Sequence, residues 1–217
     1  LAPSISITSS LSAFSTCQGT ASASQSFTVS GAHLSANLVV TAPTGYEVSW
    51  SSGSGYGSSI SVSPTSGTVS SRSVYVRLKG TSAGAISGNV VVSSTGASTT
   101  NIAVSGTVTA SPTITSSAGA SRTGTGTVDL TATASAGTLY WYATSSSTTA
   151  LGATGSPWTT PTISNTTTYY VEAQSAGCKS TRTAVIATVS GSATISLSES
   201  LTGFTACQST ASASQSF

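Results

Sequence analysis

Apolar and polar residues alternate with a period of two along most of this chain, in short runs closed by clusters of Gly, Pro or Ser. Alternation at that period marks half-buried strands, and no stretch carries a helical period of useful length. Eight strands are expected in the first half, near Ile5–Thr8, Gln25–Ser30, Asn37–Thr41, Tyr46–Trp50, Ser59–Ser63, Ser73–Leu78, Gly88–Ser93 and Thr100–Val108. Six more follow near Thr113–Ser116, Thr127–Ala134, Thr138–Ala143, Trp158–Ile163, Thr168–Ala173 and Thr183–Ser190. Strands at intervals of about 8–12 residues with turn signals between them are the pattern of β-sandwiches. Pro43-Thr-Gly45, Pro64-Thr-Ser-Gly67 and Ser94-Thr-Gly96 supply the fixed or positive φ that tight reversals need. The inward set expected for the first sandwich is Val39, Val48, Val62, Val74, Val76, Val90, Val92 and Val104. For the second it is Leu139, Trp141, Tyr169, Val171, Val185 and Ile186, with Trp141 in the place where immunoglobulin-like folds bury a tryptophan.

The chain also repeats itself. Ser4–Phe27 returns as Thr194–Phe217, identical at 15 of 24 positions at a constant offset of 190, which carries Leu11 to Leu201, Phe14 to Phe204 and Cys17 to Cys207. The expected organisation is therefore all-β: a sandwich over 1–109, a smaller immunoglobulin-like sandwich over 110–191, and over 192–217 the first strands of the next repeat in a tandem array.

Only 5% of residues are charged while 37% are hydrophobic, and no run approaches the ~18 apolar residues of a membrane helix. The formal net charge of +2 is spread thinly, so neither nucleic acid nor membrane insertion is expected. Few ion pairs leave little for salt to screen, and unfolding midpoints are expected to stay nearly flat with ionic strength. Low net repulsion also permits parallel copies to pack side by side into a filament.

Catalytic chemistry finds little support in these residues, and no enzyme or cofactor is expected. His33 stands alone in a turn-like SGAHLS segment; Glu47, Asp129, Glu172 and Glu199 are scattered rather than paired, and no GxSxG elbow is present. No Asp-rich loop suits calcium, and two cysteines and one histidine far apart do not make zinc spacing. The aromatics offer the contact patch: Tyr46, Trp50 and Tyr56 lie close together in GYEVSWSSGSGYGSS, and Trp158 follows in GSPWTT. Exposed and coplanar, they would stack on sugars; otherwise Tyr46 and Trp50 share Val48's parity and face the core, and Trp158 packs at the edge of the second sandwich.

Cys207 is the next copy of Cys17, which leaves two cysteines per period and suits pairing in an oxidising compartment. Three arrangements are open: a Cys178–Cys207 staple between successive repeats, with Cys17 bonded to the preceding one; an interchain bond between parallel copies; or free buried thiols. A staple of that loop length would contribute on the order of 3 kcal/mol.

The segments SQSFTVSGAHLSANLVVTAPTGYEVS, SGYGSSISVSP, VYVRL and NIAVSGTV resemble an extracellular β-sandwich module of Bacteroidetes surface proteins. LYWYATSSSTTALGATGSPWTTPTISNTTTYYVEAQSAGCKSTRTAV is similar to the immunoglobulin-like modules that recur in giant type IX-secreted adhesins of that group. The resemblance implies a cell-surface, extracellular setting and a structural or adhesive repeat unit of a long filament or giant adhesin, contacting neighbouring repeats and a surface or glycan target. A carbohydrate-binding module of a secreted polysaccharide-related protein is the second reading.

Overall fold

In a computed structural model of the protein the described residues are 1–8, 10–152, 154–191 and Ser214. The next-repeat strands expected over 192–217, and with them Cys207 and Glu199, fall outside the described residues.

The first nine strands are β1 (Ser4–Thr8), β2 (Phe14–Cys17), β3 (Gln25–Ala32), β4 (Leu38–Thr41), β5 (Tyr46–Ser49), β6 (Ser59–Val62), β7 (Val69–Leu78), β8 (Gly84–Ser93) and β9 (Thr100–Thr109). They build two sheets, in the orders β1-β3-β7-β5 and β2-β9-β8-β4-β6. The period of two explains how the sheets face each other. Along β9, Ile102, Val104 and Val108 point inward while Asn101, Ala103, Ser105 and Thr107 point to solvent. At the inward position between them, Gly106 leaves room that a Cβ would take from the Phe14 backbone and the Tyr46 hydroxyl. Phe14 and Tyr46 then meet edge to face at 5.6 Å, and the phenol donates to the Ile86 carbonyl at 3.1 Å.

The second sandwich comprises β10 (Ile114–Ala118), β11 (Ala120–Thr123), β12 (Asp129–Ala134), β13 (Thr138–Tyr142), β14 (Trp158–Thr159), β15 (Thr167–Ser175), β16 (Cys178–Lys179) and β17 (Thr183–Ser190). Its sheets run β10-β12-β14 and β11-β17-β15-β13, with β16 on β15. Its core is aromatic. Trp141 is fully buried and stacks on Trp158 at 5.1 Å and 11°, and Trp158 meets Tyr169 edge on at 5.1 Å. The Trp141 indole N–H donates to the Gly155 carbonyl at 2.9 Å, so the polar end of the ring is satisfied inside.

Both sandwiches split their leading strand. β1 pairs antiparallel with β3 and β10 with β12; the chain then crosses, and β2 runs parallel to β9 as β11 does to β17. The period-two reading had no place for β2, β11 or the two-residue β16. Four residues with one or no buried side chain give no readable alternation. β14 is shorter than expected because Pro161 has no N–H for a ladder; Ile163 bridges to Gly126 instead.

Three core assignments are corrected. Leu38 and Val40 are buried and Val39 lies on the outer side, because a run of three apolar residues fits either parity and the pairing of Val40 with buried Val92 settles it. Ile186 is 51% exposed; Val185 sits opposite buried Tyr169, which turns its neighbour out. Val62 is partly buried against the core rather than inside it.

Candidate functional site

Cys17 closes β2 opposite Thr109, at the end where the chain leaves the first sandwich. Cys178 opens β16 opposite Ser175, after a tight turn in which Ala176 and Gly177 both take positive φ. The two sulfurs form a disulfide, with Cα atoms 5.6 Å apart and a sequence separation of 161. Beside it, the Gln18 N–H donates to the Thr109 carbonyl at 2.8 Å and the Ser111 hydroxyl to the Gln18 carbonyl at 3.0 Å. Pro112 of the linker is buried at the same place. The sandwiches are thus joined twice, by a short linker and by a covalent bolt next to it.

This pairing corrects the Cys178–Cys207 staple, since a sulfur makes one disulfide and Cys178 gives it to Cys17. The topology explains why. β15 runs into the turn that carries Cys178 toward the first sandwich, and β17, antiparallel to β15, carries the chain away to Ser190. Cys178 therefore faces backward along the chain. By the loop-entropy relation, closing a loop of this length restricts the unfolded chain by about 5 kcal/mol.

The aromatics of the first sandwich are dispersed. Tyr46 is 1% exposed, and burial pushes its phenol above the usual range. Trp50 packs partly against the core, donates its indole N–H to the Ser61 carbonyl at 3.2 Å, and carries the Arg72 guanidinium over its ring at 3.9 Å. Tyr56 lies under Arg77 at 3.8 Å, and its hydroxyl donates to the Ser52 carbonyl at 3.2 Å. Arg77 is itself fixed by Glu47, its cross-strand partner, at 2.5 Å. Each half-buried ring is capped by its own cation, and the three do not form one open platform. Trp158 is 3% exposed and packs into the second core from β14, the end strand of its sheet.

A network around Glu172 has no counterpart in the candidate residues read from the sequence. Glu172 is 5% exposed on β15 and accepts from Gln174 at 2.7 Å, from the Tyr142 hydroxyl at 3.3 Å and from Arg182 at 3.1 Å, with Lys179 at 3.7 Å. Burial pushes its carboxyl upward, but the bonds from Gln174 and Arg182 and the charges of Lys179 and Arg182 outweigh this and hold it below the usual range. Arg182 also donates to the carbonyls of Thr144, Ser145 and Ser147, and its guanidinium lies 3.5 Å over the Tyr142 ring. One guanidinium thereby ties the loop after β13 to two strands. The available signal was an acid inside the apolar run YYVEA of so weakly charged a chain.

The remaining chemistry is dispersed. His33 sits exposed at positive φ in the turn after β3, and Asp129 accepts from the Thr159 hydroxyl at 2.6 Å. Among the described residues no three His, Cys, Asp or Glu side chains converge as metal ligands.

The fold and the bolt define a tandem of immunoglobulin-like β-sandwiches. Residues 110–190 match the family described as Ig-like domain, CHU_C associated. Among solved structures, the chain is similar to the I-band fragment I67–I69 from titin at 8% identity and a TM-score of 0.37, covering 87% of this chain and 66% of that one. It is similar to DIP-gamma IG1+IG2 at 10% identity and 0.35, covering 88% and 99%. The N-terminal Ig1-2 module of Drosophila receptor protein tyrosine phosphatase DLAR follows at 13% and 0.29, covering 86% and 98%. At these scores the likenesses carry no functional argument. No curated protein matches the chain.

Proposed function

We propose that this chain is a structural, load-bearing unit of a long extracellular tandem array that projects and spaces adhesive contacts at a cell surface. The carrying observation is the Cys17–Cys178 bolt. A pull entering at the N-terminus reaches Cys17 through β1 and β2, crosses the disulfide to Cys178, and leaves through β16 and β17. Residues 18–177, holding most of both cores, lie off that path. The array resists extension even when a sandwich opens. A disulfide of this kind also belongs to an oxidising compartment, in keeping with an extracellular site. Many copies in series turn weak contacts into firm attachment when geometry lets them engage together.

Stretching single molecules held at their ends tests the reading. With the bolt closed, the 161-residue separation stays hidden. Reduction should then add about 550 Å of contour length at ~3.4 Å per residue. Equal lengths in the two states would remove the load-bearing role.

A further inference from the structure

Residues 1–109 hold three basic side chains, Arg72, Arg77 and Lys79, and one acid, Glu47, which Arg77 takes. Arg72 is left without a hydrogen bond or ion pair among the described residues, whereas Arg77, Arg122 and Arg182 each have one. Its position is nonetheless an inward one. Along β7, Arg72 shares the parity of buried Val74, Val76 and Leu78, and it pairs with buried Val29. A bulge puts it there: Ser70 and Ser71 together oppose Ser30, so that Val69 and Arg72 both turn inward. The guanidinium lies 3.9 Å over the Trp50 ring, whose indole N–H is anchored on the Ser61 carbonyl of β6. A part-buried cation is thus held in one place with its N–H donors unspent, an arrangement that favours an incoming anion.

Arg72 also lines an open cavity of about 590 Å³ between the end of β6 and the start of β7, within the ~300–1,000 Å³ of ligand pockets. Ser63, Ser66, Thr68, Ser70 and Ser71 share the lining, and their hydroxyls make no hydrogen bond among the described residues. The wall is firm. Thr65 and Thr68 exchange both backbone bonds at 2.9 Å across their turn, and the Leu34 N–H donates to the Gly67 carbonyl at 2.9 Å. We propose that this cavity binds a carboxylate-bearing sugar, a uronate unit of an acidic polysaccharide. The planar fork of Arg72 matches a carboxylate with two parallel N–H···O bonds. Five short hydroxyls, each able to donate and accept, match the hydroxyls of a sugar ring. An acidic peptide is the poorer fit, because the apolar lining is confined to Val62 and Val69 and offers no seat for a large side-chain anchor. The inference concerns what the unit contacts and stands whether or not the array bears load.

Calorimetric titration of the intact oxidised protein with trigalacturonate tests it, with neutral galactotriose and triglutamate as the matched sugar and the matched acid. Saturable binding at one site per chain is expected, at least tenfold tighter than to either control. Arg72→Gln should weaken it at least tenfold. Arg72→Lys, which keeps the charge and the stem but not the fork, should weaken it at least threefold, with the denaturant midpoint of the first sandwich retained. Lys79→Gln, an equal loss of charge just beyond β7, should stay within twofold of the intact protein. No saturable binding, equal affinity for either control, unchanged binding by the Arg72 variants, or an equal loss in Lys79→Gln would overturn the proposal. None of these outcomes alters the contour length expected on reduction.

Discussion

The two sandwiches solve the same problem with different materials. Both split the leading strand between sheets, so each sheet gains an antiparallel or parallel edge partner from one short segment. Among the described residues the first buries 17 in its core, mostly Val and Leu, and keeps its ion pair and ring caps at the surface. The second buries 12 and makes up the difference with larger side chains, two stacked tryptophans and a tyrosine, and with a buried carboxylate neutralised by Arg182. The smaller unit concentrates its stability in fewer groups. It is also the unit whose turn, between β15 and β16, receives the bolt.

That contrast sets an order of expected effects. Trp158→Ala removes two ring contacts and should cost the second sandwich about 3–5 kcal/mol, leaving the first transition of the reduced protein in place; Trp50, in the first sandwich, reports the unaffected half by fluorescence. Loss of both transitions together would show that the cores are not separate. Arg182→Ala takes from buried Glu172 its closest counter-charge and leaves the exposed Lys179 at 3.7 Å, and about 3 kcal/mol is expected. Arg77→Ala, at a site where the arginine side chain is 32% exposed, should cost at most about 1 kcal/mol. Similar losses from the two would break the comparison.

Acid should separate the halves next. Glu172 titrates below its ordinary 4.5 in the folded state, so its contribution is complete above that value and disappears as pH falls through the lower folded one. Denaturant midpoints of the second sandwich should decline on that limb, and Glu172→Gln should flatten it; an unchanged limb would argue against the network. The smallest effect concerns salt. The Arg182–Glu172 pair is shielded from solvent and little else is paired, so both midpoints should stay nearly flat with ionic strength, and a large shift would count against this.

How much of this the sequence disclosed follows from periodicity. Long alternating strands such as β9 are legible because every second residue must be apolar for one face to be buried. Leu38-Val39-Val40 and Val185-Ile186-Ala187 are not, since consecutive apolar residues fit either parity until a partner strand decides. β2 and β11 are too short and polar to signal, although they position Cys17 and the crossing between sheets. The arginine caps on Trp50 and Tyr56 depend on cross-strand register, which composition cannot supply. The cysteine count predicted pairing but not partners, because the direction in which Cys178 faces is set by the order of β15 and β17.

The load path through the junction depends on which cysteine Cys178 holds. Proteolytic mapping of the unreduced monomer, with free thiols blocked first, decides it: the Cys17 peptide linked to the Cys178 peptide, with Cys207 blocked, is the predicted result. A Cys178–Cys207 linkage within one monomer, or Cys17 and Cys178 both blocked, would contradict the bolt and the load path drawn through it.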